Sequence, residues 1–211
     1  MFSLMCSLAA MPRFRWPAAS SCSTSSSRSP RFQSAASASG RPGGSSAVTA
    51  VKTAHPDKIV FADMKTMDAG ELEADIAFTA GADLVSVLGS ADDSTIAGAV
   101  KAAKAHNKGI VVDLIGFEDK VGRANKARAL GAKFVEMHAG LDEQAKPGYN
   151  LDVLLSAGEK ARVPFSVAGG VNLSTIEAVQ RSGADVAVVG GSIYSADDPA
   201  VAAKELKAAI V

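Results

Sequence analysis

The body of this 211-residue chain contains no cysteine; the two present, Cys6 and Cys22, both lie in its first segment. Neither a disulfide framework nor a thiolate metal site is therefore available beyond that segment. Any metal there must be held by oxygen or imidazole, which favours a hard ion such as magnesium. No apolar run approaches the ~20 residues that a membrane-spanning helix requires. Formal net charge is zero and no basic face stands out, so neither nucleic acid nor a membrane surface is expected as the main partner. Apolar residues, by contrast, make up 47% of the chain, enough for one sizeable domain with a packed core.

Composition changes sharply near Ser46. Residues 1–46 carry Arg13, Arg15, Arg28, Arg31 and Arg41, a serine-rich run at Ser20–Ser29, and no acid; the first acidic residue is Asp57. No helical or strand period persists, so too little apolar surface can be buried to offset chain ordering, and disorder is expected. The composition fits an organelle transit peptide, or a non-native start carrying no address. The short apolar run of Met1–Met11, without a basic start, does not fit a secretory signal. A cytoplasmic protein is expected unless the segment is such a transit peptide.

Residues 47–211 form the catalytic domain in this reading. Ala47–His55 ends a helix stopped by Pro56. Apolar strands are expected at Lys58–Asp63, Asp83–Leu88, Gly109–Leu114, Lys133–His138, Pro164–Ala168 and Asp185–Val189. Helices are expected at Gly70–Ala80, Ser94–His106, Glu118–Leu130, Leu151–Ala161, Leu173–Ser182 and Pro199–Ile210. The phrase Gly-Ala-Asp/Lys at Gly81, Gly131 and Gly183 marks a helix end turning into a strand. Repeated βα units imply a parallel sheet with right-handed crossovers, in a barrel or a doubly wound fold. The six units fall short of the eight of a closed (β/α)₈ barrel, and residues 1–46 are not expected to supply the other two.

Four chemically capable residues fall at strand ends. Asp63 and Lys65 are two apart on one strand and share a face. Such a pair can hold a metal and stabilise an oxyanion, or can simply be an ion pair capping a barrel. Asp113 closes Ile-Val-Val-Asp, and His138 closes Phe-Val-Glu-Met-His. Active sites of βα barrels gather at that end, so convergence of the four is what such a site requires. Glu136 shares the parity of His138 and is expected to meet Lys133 or an inner-layer polar group. Gly169-Gly170 and Gly190-Gly191 follow the last two strands. They either bring backbone N–H groups to a phosphate or make tight turns. Asp142-Glu143-Gln144 is a solvated turn or a lid, and His55 and His106 are expected to be solvated.

The phrases Ala54-His-Pro-Asp-Lys-Ile-Val-Phe-Ala-Asp-Met-Lys-Thr-Met-Asp-Ala-Gly-Glu, Val111-Val-Asp-Leu-Ile-Gly, His138-Ala-Gly-Leu-Asp-Glu-Gln, Val167-Ala-Gly-Gly-Val and Val189-Gly-Gly-Ser-Ile-Tyr carry a resemblance. They are similar to the orotidine-monophosphate-decarboxylase-like barrels, above all to the 3-hexulose-6-phosphate synthase branch. The resemblance implies a (β/α)₈ TIM-type barrel, here truncated to six βα units. It implies a Mg²⁺-dependent, reversible aldol condensation of formaldehyde with D-ribulose 5-phosphate. Asp63 would then be a metal ligand, and Lys65 would stabilise an enediolate oxygen. His138 would move protons, and Asp113 would orient Lys65 or a substrate hydroxyl. Gly169, Gly170, Gly190 and Gly191 would bind the phosphate. Asp68 would reach a neighbouring subunit's site, which implies a homodimer.

The sister branch, 3-keto-L-gulonate-6-phosphate decarboxylase, carries Glu where this chain has Asp113 and Arg where it has Leu141. Both differences favour the synthase. The family's first two strands carry an Asp and a metal-binding Glu that are not matched here. Open edges, poor solubility and impaired turnover are therefore expected. A non-catalytic remnant and a sugar-phosphate-binding protein are the competing readings.

Overall fold

The computed structural model describes residues 4–10, 33–36 and 44–210, with side chains described for 45–210. The strands are β1 (Leu4–Ala10), β2 (Gln33–Ala36), β3 (Val60–Thr66), β4 (Leu84–Leu88), β5 (Gly109–Asp113), β6 (Phe134–His138), β7 (Phe165–Ala168) and β8 (Val186–Val189). The helices are α1 (Gly44–Ala54), α2 (Gly70–Thr79), α3 (Asp93–Ala105), α4 (Lys120–Leu130), α5 (Leu141–Gln144), α6 (Asp152–Ala161), α7 (Ile176–Arg181), α8 (Gly191–Tyr194) and α9 (Pro199–Ala208). Strands β3 to β8 pair in sequence order, all parallel, and curl as a TIM-type barrel sheet. These are the six βα units read from the sequence.

The barrel ring closes through β1 and β2. Strand β2 runs parallel to β3, whereas β1 runs antiparallel to both β2 and β8. This corrects the expectation that the first segment supplies no strand and that the sheet keeps open edges. The free edges of β3 and β8 present unpaired backbone groups, and a short extended segment can satisfy them whatever its periodicity. The rest of the expected disordered segment lies outside the described residues. Among the described residues, no helix is long and apolar enough to cross a membrane.

Local chemistry explains the element boundaries. The side chains of Asp92, Asp119 and Asp198 accept backbone N–H groups at the starts of α3, α4 and α9. The recurring Gly81, Gly131 and Gly183 adopt φ of 107°, 103° and 79°, the left-handed turn that ends each preceding helix. Two residues later, Asp83 takes Lys52, Lys108 and the Val60 N–H at the lower rim, and Asp185 takes the Phe165 N–H.

Strand alternation sorts the interior into layers. A large apolar core lies between sheet and helices, including Val60, Ala62, Val85, Ile110, Val112, Val135 and Met137. Inside the barrel, Phe61, Leu84, Val111 and Phe134 form an apolar floor. Two residues further along the same strands come Asp63, Ser86, Asp113 and Glu136, all buried, joined by the buried Ser166 of β7. Register places Asp113 opposite Glu136 and Glu136 opposite Ser166, so the strands build one polar layer at the upper, C-terminal end.

Candidate active site

Hydrogen bonds join most of the polar layer, and an ion-pair contact joins the rest. The Lys65 Nζ lies 2.6 Å from Asp113 Oδ2 and 3.0 Å from Asp63 Oδ2. Asp113 in turn meets His138 Nδ1 at 3.0 and 3.1 Å and accepts the Ile115 N–H at 2.9 Å. Ser86 Oγ donates to Asp63 Oδ1 at 2.6 Å and accepts the Lys65 N–H at 2.9 Å. Ser166 Oγ donates to Glu136 Oε1 at 3.2 Å, while Glu136 Oε2 sits 3.5 Å from His138 Nδ1. The four residues expected to converge, Asp63, Lys65, Asp113 and His138, thus meet on one rim.

Lys65 reaches this position through a break in strand alternation. The register of β3 against β4 shifts between Ala62 and Thr66, and Lys65 itself has φ of +48°. A left-handed lysine is unfavourable by roughly 1–2 kcal/mol, so the surroundings must hold it there. The Ser86 hydroxyl and the two carboxylates do so.

Charge and burial set the protonation states. Burial opposes the Lys65 ammonium, but Asp113 and Asp63 outweigh it and raise its pKa. Burial would raise the Asp113 carboxyl, yet His138 and Lys65 hold it below its ordinary value. Burial disfavours imidazolium at His138, but the hydrogen bond and charge of Asp113, with Glu136, push its pKa up. Glu136 is pushed up to about 8, first by burial and then by the charge of Asp113. Of the two partners expected for Glu136, the structure supplies the inner-layer polar group.

A cavity of about 190 Å³ opens beside this layer, lined by His138, Gln144, Gly170, Gly190, Ser192 and Tyr194 among others. It is smaller than the ~300–1,000 Å³ of drug-sized sites and suits a compact polar ligand. Gly169 and Gly170 line it with φ of +109° and +72°. A Cβ on Gly169 would meet the Ala139 carbonyl at 2.6 Å. Side chains hold the carbonyls of this turn: Tyr149 Oη donates to Gly169 O at 3.1 Å, Thr175 to Gly170 O at 3.0 Å, and Ser192 to Val171 O at 3.0 Å. The turn is thereby fixed with glycine backbone along the cavity wall.

Asp68 is not brought to this cluster; it is exposed on the β3–α2 turn and accepts the Ala69 N–H. Asp142–Gln144, expected as a turn or lid, falls in the one-turn helix α5, and Gln144 lines the cavity while donating to Ala139 O. His55 is exposed as expected. His106 is half-buried against Phe78 and pairs with Asp75, a correction to the solvated reading, because α2 packs beside α3. Ser86, Ser166, Tyr149 and Ser192 were not singled out from sequence. A serine at an inward position of an apolar strand was a usable signal for the first two. Nothing local marks the others.

Comparison with known proteins follows the same outline. The orotidine 5'-phosphate decarboxylase / HUMPS family matches residues 37–206. The 3-hexulose-6-phosphate synthase of Mycobacterium gastri is 81% identical over 167 residues, covering 79% of this chain and 81% of that one. A crystal structure of 3-hexulose-6-phosphate synthase has a TM-score of 0.79 and 80% identity, covering 80% of this chain and 81% of its own. The 3-keto-L-gulonate-6-phosphate decarboxylase from Vibrio cholerae is more distant, with a TM-score of 0.66 and 27% identity over 79% of this chain and 78% of its own. The chain belongs to the orotidine 5'-phosphate decarboxylase / HUMPS family.

Proposed function

We propose that this chain is a lyase of the aldol type that reversibly joins formaldehyde to D-ribulose 5-phosphate, giving D-arabino-hex-3-ulose 6-phosphate. The observation that carries this reading is the Lys65–Asp113–His138 chain beside a glycine-walled cavity on one rim. The 81% identity to a protein named 3-hexulose-6-phosphate synthase supports it.

Each group has a role that its environment suits. Gly169, Gly170, Gly190 and Gly191 receive the phosphate through backbone N–H groups. His138, whose Nδ1 is committed to Asp113, takes and returns a substrate proton at Nε2. Lys65 stays charged and stabilises negative charge developing on substrate oxygen. Asp113 orients both. Carbon–carbon bond formation then consumes the resulting carbanion equivalent at the formaldehyde carbon.

Asp63 would hold Mg²⁺: its buried carboxylate, which also pairs with Lys65 and Ser86, offers oxygen to a hard ion. When bound, the ion supplies Lewis-acid stabilisation of substrate oxygens. Asp113, Glu136 and His138 also bring ligand atoms within 4.8 Å of one another. That set includes an imidazole, a poorer match to a hard ion than oxygen alone, so we assign Asp113 and His138 to the proton network and no ion to the set.

A homodimer belongs to the same proposal. Leu72 and Ile76, four apart on α2, are exposed beside Met67 and Asp68. Pairing through this face covers an apolar stripe and carries Asp68 toward the partner's rim. The test is consumption of formaldehyde with ribulose 5-phosphate, with and without Mg²⁺. Mg²⁺-dependent turnover abolished in Asp63→Asn is expected. Decarboxylation of 3-keto-L-gulonate 6-phosphate without formaldehyde fixation would favour the sister activity. Ribulose 5-phosphate binding without either reaction would reduce the chain to a binding protein or remnant.

A further inference from the structure

We infer that Glu136 is a positioning residue for His138: set one layer deeper on the same strand and tied to Ser166, it shares Nδ1 of the imidazole with Asp113. The inference deepens the proposed function and rests on His138 being its proton-transfer group.

The geometry is specific. Glu136 is 1% exposed, in the layer directly above the apolar floor that includes Phe134. An unneeded carboxyl there would be expensive, since burying a charge demands a partner and burying its neutral form still demands hydrogen bonds. Ser166, itself fully buried, holds Oε1, which points Oε2 at His138 Nδ1. Asp113 thus hydrogen-bonds Nδ1 while Glu136 Oε2 stands 3.5 Å from the same nitrogen, and the imidazole lines the cavity. The proposed chemistry uses Asp113, Lys65 and His138 but gives Glu136 no part.

Among the described residues, the polar groups acting on Glu136 belong to this layer. Strand β3 contributes Asp63 and Lys65, β5 contributes Asp113, β6 contributes His138, and β7 contributes the uncharged Ser166. With Glu136 neutral, Asp63 and Asp113 balance Lys65 and a protonated His138. Ionised Glu136 adds an excess negative charge that favours imidazolium. The carboxyl thus acts on the imidazole through its charge as well as its placement.

Glu136→Gln preserves shape and the Ser166 contact but cannot ionise. The His138 imidazole midpoint, read by NMR and assigned among the three histidines by its loss in His138→Gln, should fall, because the charge that Glu136 gains as it ionises is no longer available to the imidazolium. The acid limb of kcat/KM should move down with it, while KM for ribulose 5-phosphate stays within about twofold. If Glu136→Gln does not fold, Ser166→Ala releases Oε1 and should also displace the midpoint. An unchanged midpoint in whichever variant folds overturns the inference. If the wild-type protein fails to fix formaldehyde, the functional reading falls, and the NMR midpoints still decide this one.

Discussion

Replacing Lys65 with methionine tests the central ion network most directly. The change removes an ammonium 2.6 Å from Asp113 and 3.0 Å from Asp63 while keeping much of the side-chain volume. Both carboxylates are buried, and breaking a buried pair by removing one partner typically costs ~3–5 kcal/mol. Lys65 itself is 35% exposed, so solvent screens part of that interaction and a cost at or just below that range, about 2–3 kcal/mol, is expected. His138 and Ser86 remain to partner the two acids. For a domain of this size about 2–4 °C accompanies each kcal/mol, so Tm should drop by roughly 5–10 °C.

The pH dependence has a definite sign. In the wild-type protein Asp113 is held below its ordinary pKa, so its contribution to stability is present above the unfolded value and is lost as pH falls through the folded one. Without Lys65 its folded pKa rises. The deficit of the variant is then full at pH 8 and smaller in a measurement at pH 5, because acidification favours the protonated carboxyl that needs no counter-ion. Urea unfolding followed by circular dichroism at both pH values measures this. A deficit that is absent, or that grows on acidification, would refute the assignment of Lys65 as the counter-ion. In the same variant, loss of oxyanion stabilisation should lower kcat by about 10²–10³.

Two further outcomes follow from the cavity and the outer face. Gly170→Ala places a Cβ 3.4 Å from the Tyr149 ring at φ of +72°, and should raise KM for the phosphorylated substrate about tenfold; Gly183→Ala, at φ of +79° with nothing within 4 Å, should lose similar stability without changing KM. Equal KM effects in the two variants would remove the glycine turn from phosphate binding. Leu72→Glu with Ile76→Glu should convert a dimer to a monomer in sedimentation equilibrium. An unaltered mass would place the subunit contact elsewhere.

The alternation of strands and helices from Val60 onward was legible because hydrophobic period, Asp caps and glycine stops are local signals. So was the placement of Asp113 and His138 at upper strand ends, whereas β3 runs three residues past Asp63, to Thr66. The pairing of Asp113 with Lys65, 48 residues away in sequence, came only from the family resemblance, and that Asp113 also meets His138, 25 residues away, was not legible. Contacts of that kind depend on sheet register, which pairs β5 with β6 and aligns Asp113 with Glu136. The left-handed backbone of Lys65 was hidden for a related reason. No local preference favours it, and it persists only because Ser86 and two acids from three different strands hold it.

Ring closure by β1 and β2 also lay beyond sequence reading, because an edge accepts a partner for its backbone groups rather than for its periodicity. Residue order alone determined the barrel's repeating units and the chemical types at its rim. The tertiary structure decided which of those groups touch, which are buried, and therefore which hold protons: a carboxylate's pKa depends on charges and solvent brought near it by strands distant in the chain.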